Sequence, residues 1–174
     1  MQLKNLRTNF LGRNLTYYKE IDSTQKEVWR RLENGIIVSA DKQTDGIGTH
    51  GRTWYTTQKG NIAFSIGLAP NVPVKQLQNL TIEIAEIILE VFDKLYQIKL
   101  QIKHPNDIMI NKQKVGGILT ETKLQGEIVK QLVIGIGINT NNEEISTSIK
   151  NEFKIEIDNE KVINEIIKRI GEKI

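Results

Sequence analysis

The sequence predicts an α+β domain, with a mixed, largely antiparallel sheet and helices on one face. Three observations carry this. Short apolar or alternating runs recur between residues 99 and 137 with turn residues between them, as in adjacent hairpins. The segments after Pro73 and after Glu160 repeat apolar residues every three or four positions, as amphipathic helices do. Regular strand–helix alternation, the mark of an all-parallel sheet, is missing. The 174 residues fit a single domain, 1–174, that can bury a full core without cross-links.

The elements follow in order. Leu15–Ile21 has strand composition. Asp22 and Ser23 are good helix N-cap types; Gln25 stands three after Asp22 and Glu27 three after Thr24, so either register completes a capping box. Val28 and Leu32 mark the helix face, and Asn34-Gly35 ends it. Gly35–Ala40 reads as a buried strand. From Asp41 to Gly60 periodicity vanishes, which predicts a long loop of the kind that carries function. Asn61–Ala69 is again a strand. Pro73 is expected to open the longest helix, with Val74, Leu77, Leu80, Ile84, Ile88, Val91 and Leu95 on its core stripe. Four strands follow, at Lys99–Lys103, Ile108–Ile110, Lys114–Lys123 and Glu127–Gly137, with turns at Asn111-Lys-Gln and Leu124-Gln-Gly126. Asn139–Asn142 is a polar loop. A last helix starts near Glu160, capped by Asp158 or Asn159, with Val162, Ile166, Ile170 and Ile174 on one face.

Composition excludes several functions. With 24 basic and 21 acidic residues, the net charge of +3 gives no polyanion-binding signal, so DNA is not an expected partner. There is no cysteine, hence no disulfide, thiolate metal site or Cys nucleophile. Two histidines, His50 and His104, make no metal cluster. Met1–Arg7 lacks an apolar signal core, and no run approaches ~18 apolar residues, so a cytoplasmic protein without membrane contact is expected.

Gly46, Gly48 and Gly51 match G-x-G-x-x-G, and Gly46–Thr53 nearly matches the phosphate loop G-x-x-x-x-G-K-[ST] with Arg52 for lysine. Both motifs must open directly into a helix, and Thr53-Trp-Tyr-Thr-Thr57 has no helical period. Two readings remain: a solvated hairpin, or a loop for an anionic ligand with a flat ring. The second would use backbone amides and Arg52 for phosphate and Trp54 for a base.

Gln43-Thr-Asp-Gly-Ile-Gly-Thr-His-Gly-Arg-Thr-Trp54 resembles the loop Q-T-x-G-R-G-R-x-G-R-x-W of the biotin protein ligase family. Four further segments fit in family order. Asp22-Ser-Thr-Gln25 is similar to D-S-T-N/Q, and Lys103-His-Pro-Asn-Asp107 to K-W-P-N-D. Lys114-Val-Gly-Gly-Ile-Leu-Thr-Glu121 fits K-x-G-G-I-L-x-E, and Gly135-Ile-Gly-Ile-Asn139 fits G-x-G-x-N. The resemblance implies the class II aminoacyl-tRNA synthetase-like fold and a two-step ligase. Biotin's carboxylate attacks the α-phosphorus of MgATP to give biotinyl-5′-AMP and pyrophosphate; a lysine of a biotin carboxyl carrier protein then takes the biotin and releases AMP. A homodimer is a further implication.

The resemblance also implies roles. Lys114 would bridge the biotin carboxylate and the α-phosphate, with Arg52 on phosphate and Asp107 orienting or deprotonating the incoming amine. Ser23, Thr24, Gln25 and Gln43 would face biotin with Gly48 and Thr49, and Gly116-Gly117 would let its rings approach the strand. Gly46, Gly48, Gly51, Arg52, Trp54, Asn106, Lys114 and Asn139 form the ATP set. Mg²⁺ would sit near Asp107, with no protein ligand assigned. The residues alone also allow plainer readings: helix capping for Ser23 and Thr24, packing for Trp54, turns for Lys114 and Asn106-Asp107, and a sheet face for Glu121.

Three departures stand out. Ile47 and Thr49 replace loop arginines, which predicts slower adenylation or faster loss of the adenylate, partly offset by Lys42, His50 or Lys103. His104 replaces a tryptophan of the biotin pocket. Only a short arm precedes the pattern, so neither a winged helix nor a C-terminal SH3-like domain is expected. The competing readings are a lipoate or octanoate ligase, whose loop is of the R-R-x-x-G-G-G type, and an inert biotin- or nucleotide-binding module.

Overall fold

The computed structural model of the chain describes residues 11–57, 60–145 and 147–173. The arm Met1–Arg7, Gln58-Lys59 of the long loop and Ile174 lie outside the described residues. The strands are β1 (Asn14–Ile21), β2 (Ile36–Gln43), β3 (Asn61–Leu68), β4 (Val72–Pro73), β5 (Gln101–Lys103), β6 (Asp107–Ile110), β7 (Gln113–Gln125) and β8 (Ile128–Asn139). The helices are α1 (Thr24–Arg30), α2 (Leu80–Tyr96), α3 (Ile149–Phe153) and α4 (Asn159–Lys173).

All eight strands form one sheet in the order β1-β2-β3-β8-β7-β6-β5, with β4 against β8. Only β1 and β2 run parallel, joined through α1; every other pair is antiparallel. The mixed, largely antiparallel sheet is therefore as predicted. Strand periodicity assigns its faces. Ile62, Phe64, Ile66 and Leu68 of β3 and Ile134, Ile136 and Ile138 of β8 are buried in one cluster with the apolar stripes of α2 and α4. Val28 of α1 packs on the opposite face against Ile36, Val38 and Val133. Helices on one face thus holds for α2 and α4 but not for α1. The reason lies in β2, which is apolar on both sides: Ile37 joins the first cluster, and its neighbours Ile36 and Val38 need a second cover.

Several boundaries differ from the sequence reading. Pro73 does not open a helix. It ends β4, Val74 N–H donates to the Glu127 carbonyl at 2.8 Å, and α2 begins only at Leu80 after a 3₁₀ turn over Val74–Leu77. A proline lacks the N–H that an inner strand needs and is tolerated in this two-residue strand. Helix α1 stops at Arg30, short of Asn34-Gly35, because the Arg31 N–H is shared between the Glu27 and Val28 carbonyls and closes the helix. Strand β2 continues to Gln43 and β8 to Asn139, so both polar residues sit on strands and not in loops. Helix α3 was not legible: five residues are too few to show a period. Asp158 caps α4, its Oδ1 accepting from Lys161 N–H at 3.0 Å. No helix among the described residues is long and apolar enough to cross a membrane.

Candidate active site

On the α1 side of the sheet, past the end of α1, side chains disappear from the floor. Gly117 of β7, Gly135 and Gly137 of β8 and Ser65 of β3 line a cleft there. The glycines are required by close approach. A Cβ on Gly137 would stand 2.5 Å from the Trp54 ring, and one on Gly135 would stand 2.5 Å from Gln25 Oε1. Counted out to its open mouth the cleft measures about 440 Å³.

The glycine loop makes the roof. Ile47 bridges Thr53, Gly48 N–H donates to the Arg52 carbonyl at 2.6 Å, and Trp54 N–H donates to the Gly46 carbonyl at 2.8 Å. This tight hairpin lays the Trp54 ring over Gly137. It also leaves the indole N–H buried with no acceptor among the described residues, which makes it an available donor for a ligand.

Lys114 and Asp107 stand side by side at the starts of β7 and β6, with Nζ 2.6 Å from Oδ1. In the register Asp107 faces Gly117 and Lys114 faces Met109, so the lysine side chain reaches along β7 past Gly117 to meet the carboxylate. Lys114 Nζ is 6.0 Å from the centre of the Trp54 ring. Those two residues also line a second, shallower cleft of about 630 Å³ with Thr53, Tyr55, Asn139 and Thr147. The two clefts therefore meet at Lys114 and Trp54.

The far end of the first cleft is polar and ordered. Gln43 Oε1 accepts from Thr24 N–H at 2.8 Å and from Thr24 Oγ1 at 3.1 Å. Thr24 Oγ1 lies 2.9 Å from Ser65 Oγ, which donates to Gln25 Oε1 at 3.1 Å. Beneath them Glu121 Oε2 accepts from Gln25 Nε2 at 2.9 Å and from Trp29 Nε1 at 2.8 Å. Beside this network, the Arg30 guanidinium and the Ser23 N–H hold the Asp22 carboxyl down to about pKa 2, securing the start of α1.

The structure brings together most residues singled out from the sequence. Thr24, Gln43, Gly48, Thr49, Asn106 and Gly117 line the first cleft. Asn139 lines the second, Lys114 and Trp54 line both, and Asp107 joins through its ion pair. Others fall elsewhere. Ser23 is the buried N-cap of α1, accepting from Lys26 N–H. Gln25 is buried on the floor at Gly135, behind the residues that line the cleft. Gly116, one residue from Gly117, faces the opposite side, where a Cβ would meet the Gly137 carbonyl at 3.0 Å and Ile108 at 3.2 Å. Gly46 makes room for the Trp54 carbonyl, while Gly51 and Arg52 are exposed on the outer rim. Lys42 pairs with Glu20 at 2.6 Å on the surface, and His50, Lys103 and His104 are exposed. Ser65, Gly135 and Glu121 were absent from the sequence-derived site. A signal for the first two existed: in β3 and β8 small residues recur at every second position (Ala63, Ser65, Gly67; Gly135, Gly137) between large ones.

Two adjoining clefts on a mixed, largely antiparallel sheet, meeting at Lys114 and Trp54, describe a site for two ligands side by side. The model of the biotin/lipoate A/B protein ligase family matches residues 17–139, and the chain belongs to that family. It is 34% identical over 175 residues to the bifunctional ligase/repressor BirA of Bacillus subtilis, spanning 93% of this chain and 54% of that protein. It is 27% identical to the biotin–[acetyl-CoA-carboxylase] ligase of Mycobacterium tuberculosis over 78% of this chain and 54% of that one. The chain thus spans about half the length of these relatives. Among solved structures, the biotin protein ligase from Aquifex aeolicus in complex with biotin and ATP superposes with a TM-score of 0.77 at 32% identity, covering 92% of this chain and 69% of that one.

Proposed function

We propose that this chain is a biotin–protein ligase, activating biotin with ATP to biotinyl-5′-AMP and passing biotin to a lysine of a carboxylase carrier protein. The observation that carries the reading is the meeting of two clefts at one lysine. Adenylation must bring a carboxylate against a polyphosphate, so it needs a cation where the two substrates touch. Lys114 is the cation at that junction.

The first cleft takes biotin, with its ureido group at Thr24 and Gln43 and its carboxylate toward Lys114. Gly117, Gly135 and Gly137 let the fused rings lie on the sheet. The second cleft takes the nucleotide, with Trp54 against the base, Asn139 on the phosphate side and Arg52 folding in from the rim. As the α-phosphorus is attacked, Lys114 Nζ stabilises the added negative charge. In the second step Asp107, already held 2.6 Å from Lys114, orients the carrier's amine and takes its proton. No three Asp, Glu or His side chains gather among the described residues, so Mg²⁺ would arrive on the ATP phosphates with at most Asp107 from the chain. The A. aeolicus complex with biotin and ATP supports this ligand pair. The reading places the enzyme in the cytoplasm, away from membrane and DNA, with β1 and β5, the sheet edges among the described residues, offered to a second copy.

Incubation with ATP, Mg²⁺, a carrier domain and either biotin or lipoate tests the proposal. Biotin on the carrier is expected. Lipoate alone on the carrier would move the chain to the lipoate branch of its family, and biotin binding without adenylate would make it a binding module. The Lys114→Ala variant should form adenylate roughly 10²–10³-fold more slowly, the usual effect of removing one transition-state donor. Its stability should change by no more than about 1 kcal/mol, because the Lys114–Asp107 pair is partly exposed.

A further inference from the structure

Glu121 lines neither cleft, yet it ends the hydrogen-bond chain that begins at Thr24 and Gln43. We infer that Glu121 is a positioning residue that sets which biotin-facing atoms donate and which accept, and so selects a ligand with an N–H beside a carbonyl. The inference rests on the proposed biotin site.

A carboxylate only accepts. Its Oε2 takes two donors, the Trp29 indole N–H at 2.8 Å and the Gln25 amide at 2.9 Å. The Gln25 amide must therefore present Nε2 to Glu121 and Oε1 to Ser65. Ser65 Oγ is 3.1 Å from that oxygen, wholly buried, and has one proton, which goes to Gln25. Across the 2.9 Å contact with Thr24, Ser65 then has only a lone pair to offer. The Thr24 hydroxyl likewise has one proton, and both of its contacts, Ser65 Oγ and Gln43 Oε1, lie on the protein side. Thr24 turns a lone pair to the cleft. Gln43 is polarised in the same sense: the Thr24 N–H donates to its Oε1, and none of the side-chain hydrogen bonds among the described residues uses its Nε2.

The cleft end thus offers one acceptor, Thr24 Oγ1, and one donor, Gln43 Nε2. An N–H next to a carbonyl satisfies both, and the ureido edge of biotin has that order; a ring oxygen in place of the N–H would face a lone pair. Gln25 Oε1 rests directly on the floor, where a Cβ at position 135 would stand 2.5 Å from it. Without Glu121 the amide can reverse. Ser65 would then accept from Nε2 and donate to Thr24, releasing the Thr24 proton to Gln43 Oε1 or to the cleft, so that Thr24 is no longer fixed as an acceptor there.

Calorimetry on the full chain distinguishes the outcomes, using biotin, ATP and a biotin analogue whose ureido N–H groups are replaced by oxygen. For Glu121→Ala, biotin is expected to bind about tenfold more weakly, ATP unchanged, and the preference for biotin over the analogue to shrink by a similar factor. Glu121→Gln keeps an acceptor oxygen for both donors and should restore most of the affinity and preference. If Glu121 merely clamps α1 to β7, the alanine variant loses thermal stability while the preference stays constant, and the inference falls. Equal biotin affinity in wild type and Glu121→Ala overturns this inference alone. A wild-type chain that binds no biotin overturns it together with the proposed function.

Discussion

The two faces of β3 and β8 use the same strands for opposite purposes. Toward α2 and α4 they present Phe64 and a series of isoleucines, all buried in one cluster. Toward the cleft, one residue along in each case, they present Ser65, Gly135 and Gly137. The first face excludes water by filling space; the second creates a ligand floor by leaving it empty. Because side chains alternate, stability and site can be specified separately within a single strand.

Substitutions of opposite sense should therefore fail on opposite faces. Phe64→Ala empties the packed face and should cost about 3–5 kcal/mol of unfolding free energy, read by denaturant titration. On the open face the expected effects fall on ligands. Ile47→Arg and Thr49→Arg, both at the cleft wall, should each slow biotinyl-AMP release at least tenfold, since a charge-assisted hydrogen bond contributes roughly 1.5–3 kcal/mol. An unchanged off-rate in stopped-flow would show that the missing arginines are not what limits retention. Gly137→Ala should displace the Trp54 ring, changing its fluorescence and weakening ATP by about tenfold, with a stability loss near 1 kcal/mol.

The smallest expected effect concerns acid. Asp22 is held near pKa 2 against an ordinary value of 3.8, chiefly by its hydrogen bonds to Arg30. A lowered folded value means that its contribution is complete above about pH 4 and is lost as pH falls through about 2. Melting temperatures of wild type and Asp22→Asn should differ at pH 5 and converge toward pH 2. A gap that persists at pH 2 would remove the charge from the account of how α1 starts.

Much of the packed face was legible in advance. The stripes of α2 and α4 and the strand runs of β3 and β8 follow from apolar periodicity, which is a local property. The open face was legible only in parts. Lys114, Thr24, Gln43 and Trp54 were named from motifs, but Gly116 was paired with Gly117 as ligand floor although adjacent strand residues face opposite sides. Glu121 shows in the sequence only as a sheet-face residue because its partners, Gln25 and Trp29, lie 96 and 92 positions away. Pro73 misled for a different reason: its pairing with Ile128 across the sheet outweighs its preference for a helix start.

The sequence by itself determined the sheet-and-helix class, the apolar faces and the family, because each is written in local spacing and in motif order. Tertiary structure alone decided that two clefts share Lys114, that α1 covers the second face, and that an acceptor-only carboxylate orients Gln25, Ser65 and Thr24. Those outcomes depend on which residues meet across β3, β7 and β8, and strand register is set by the whole sheet and not by any one segment.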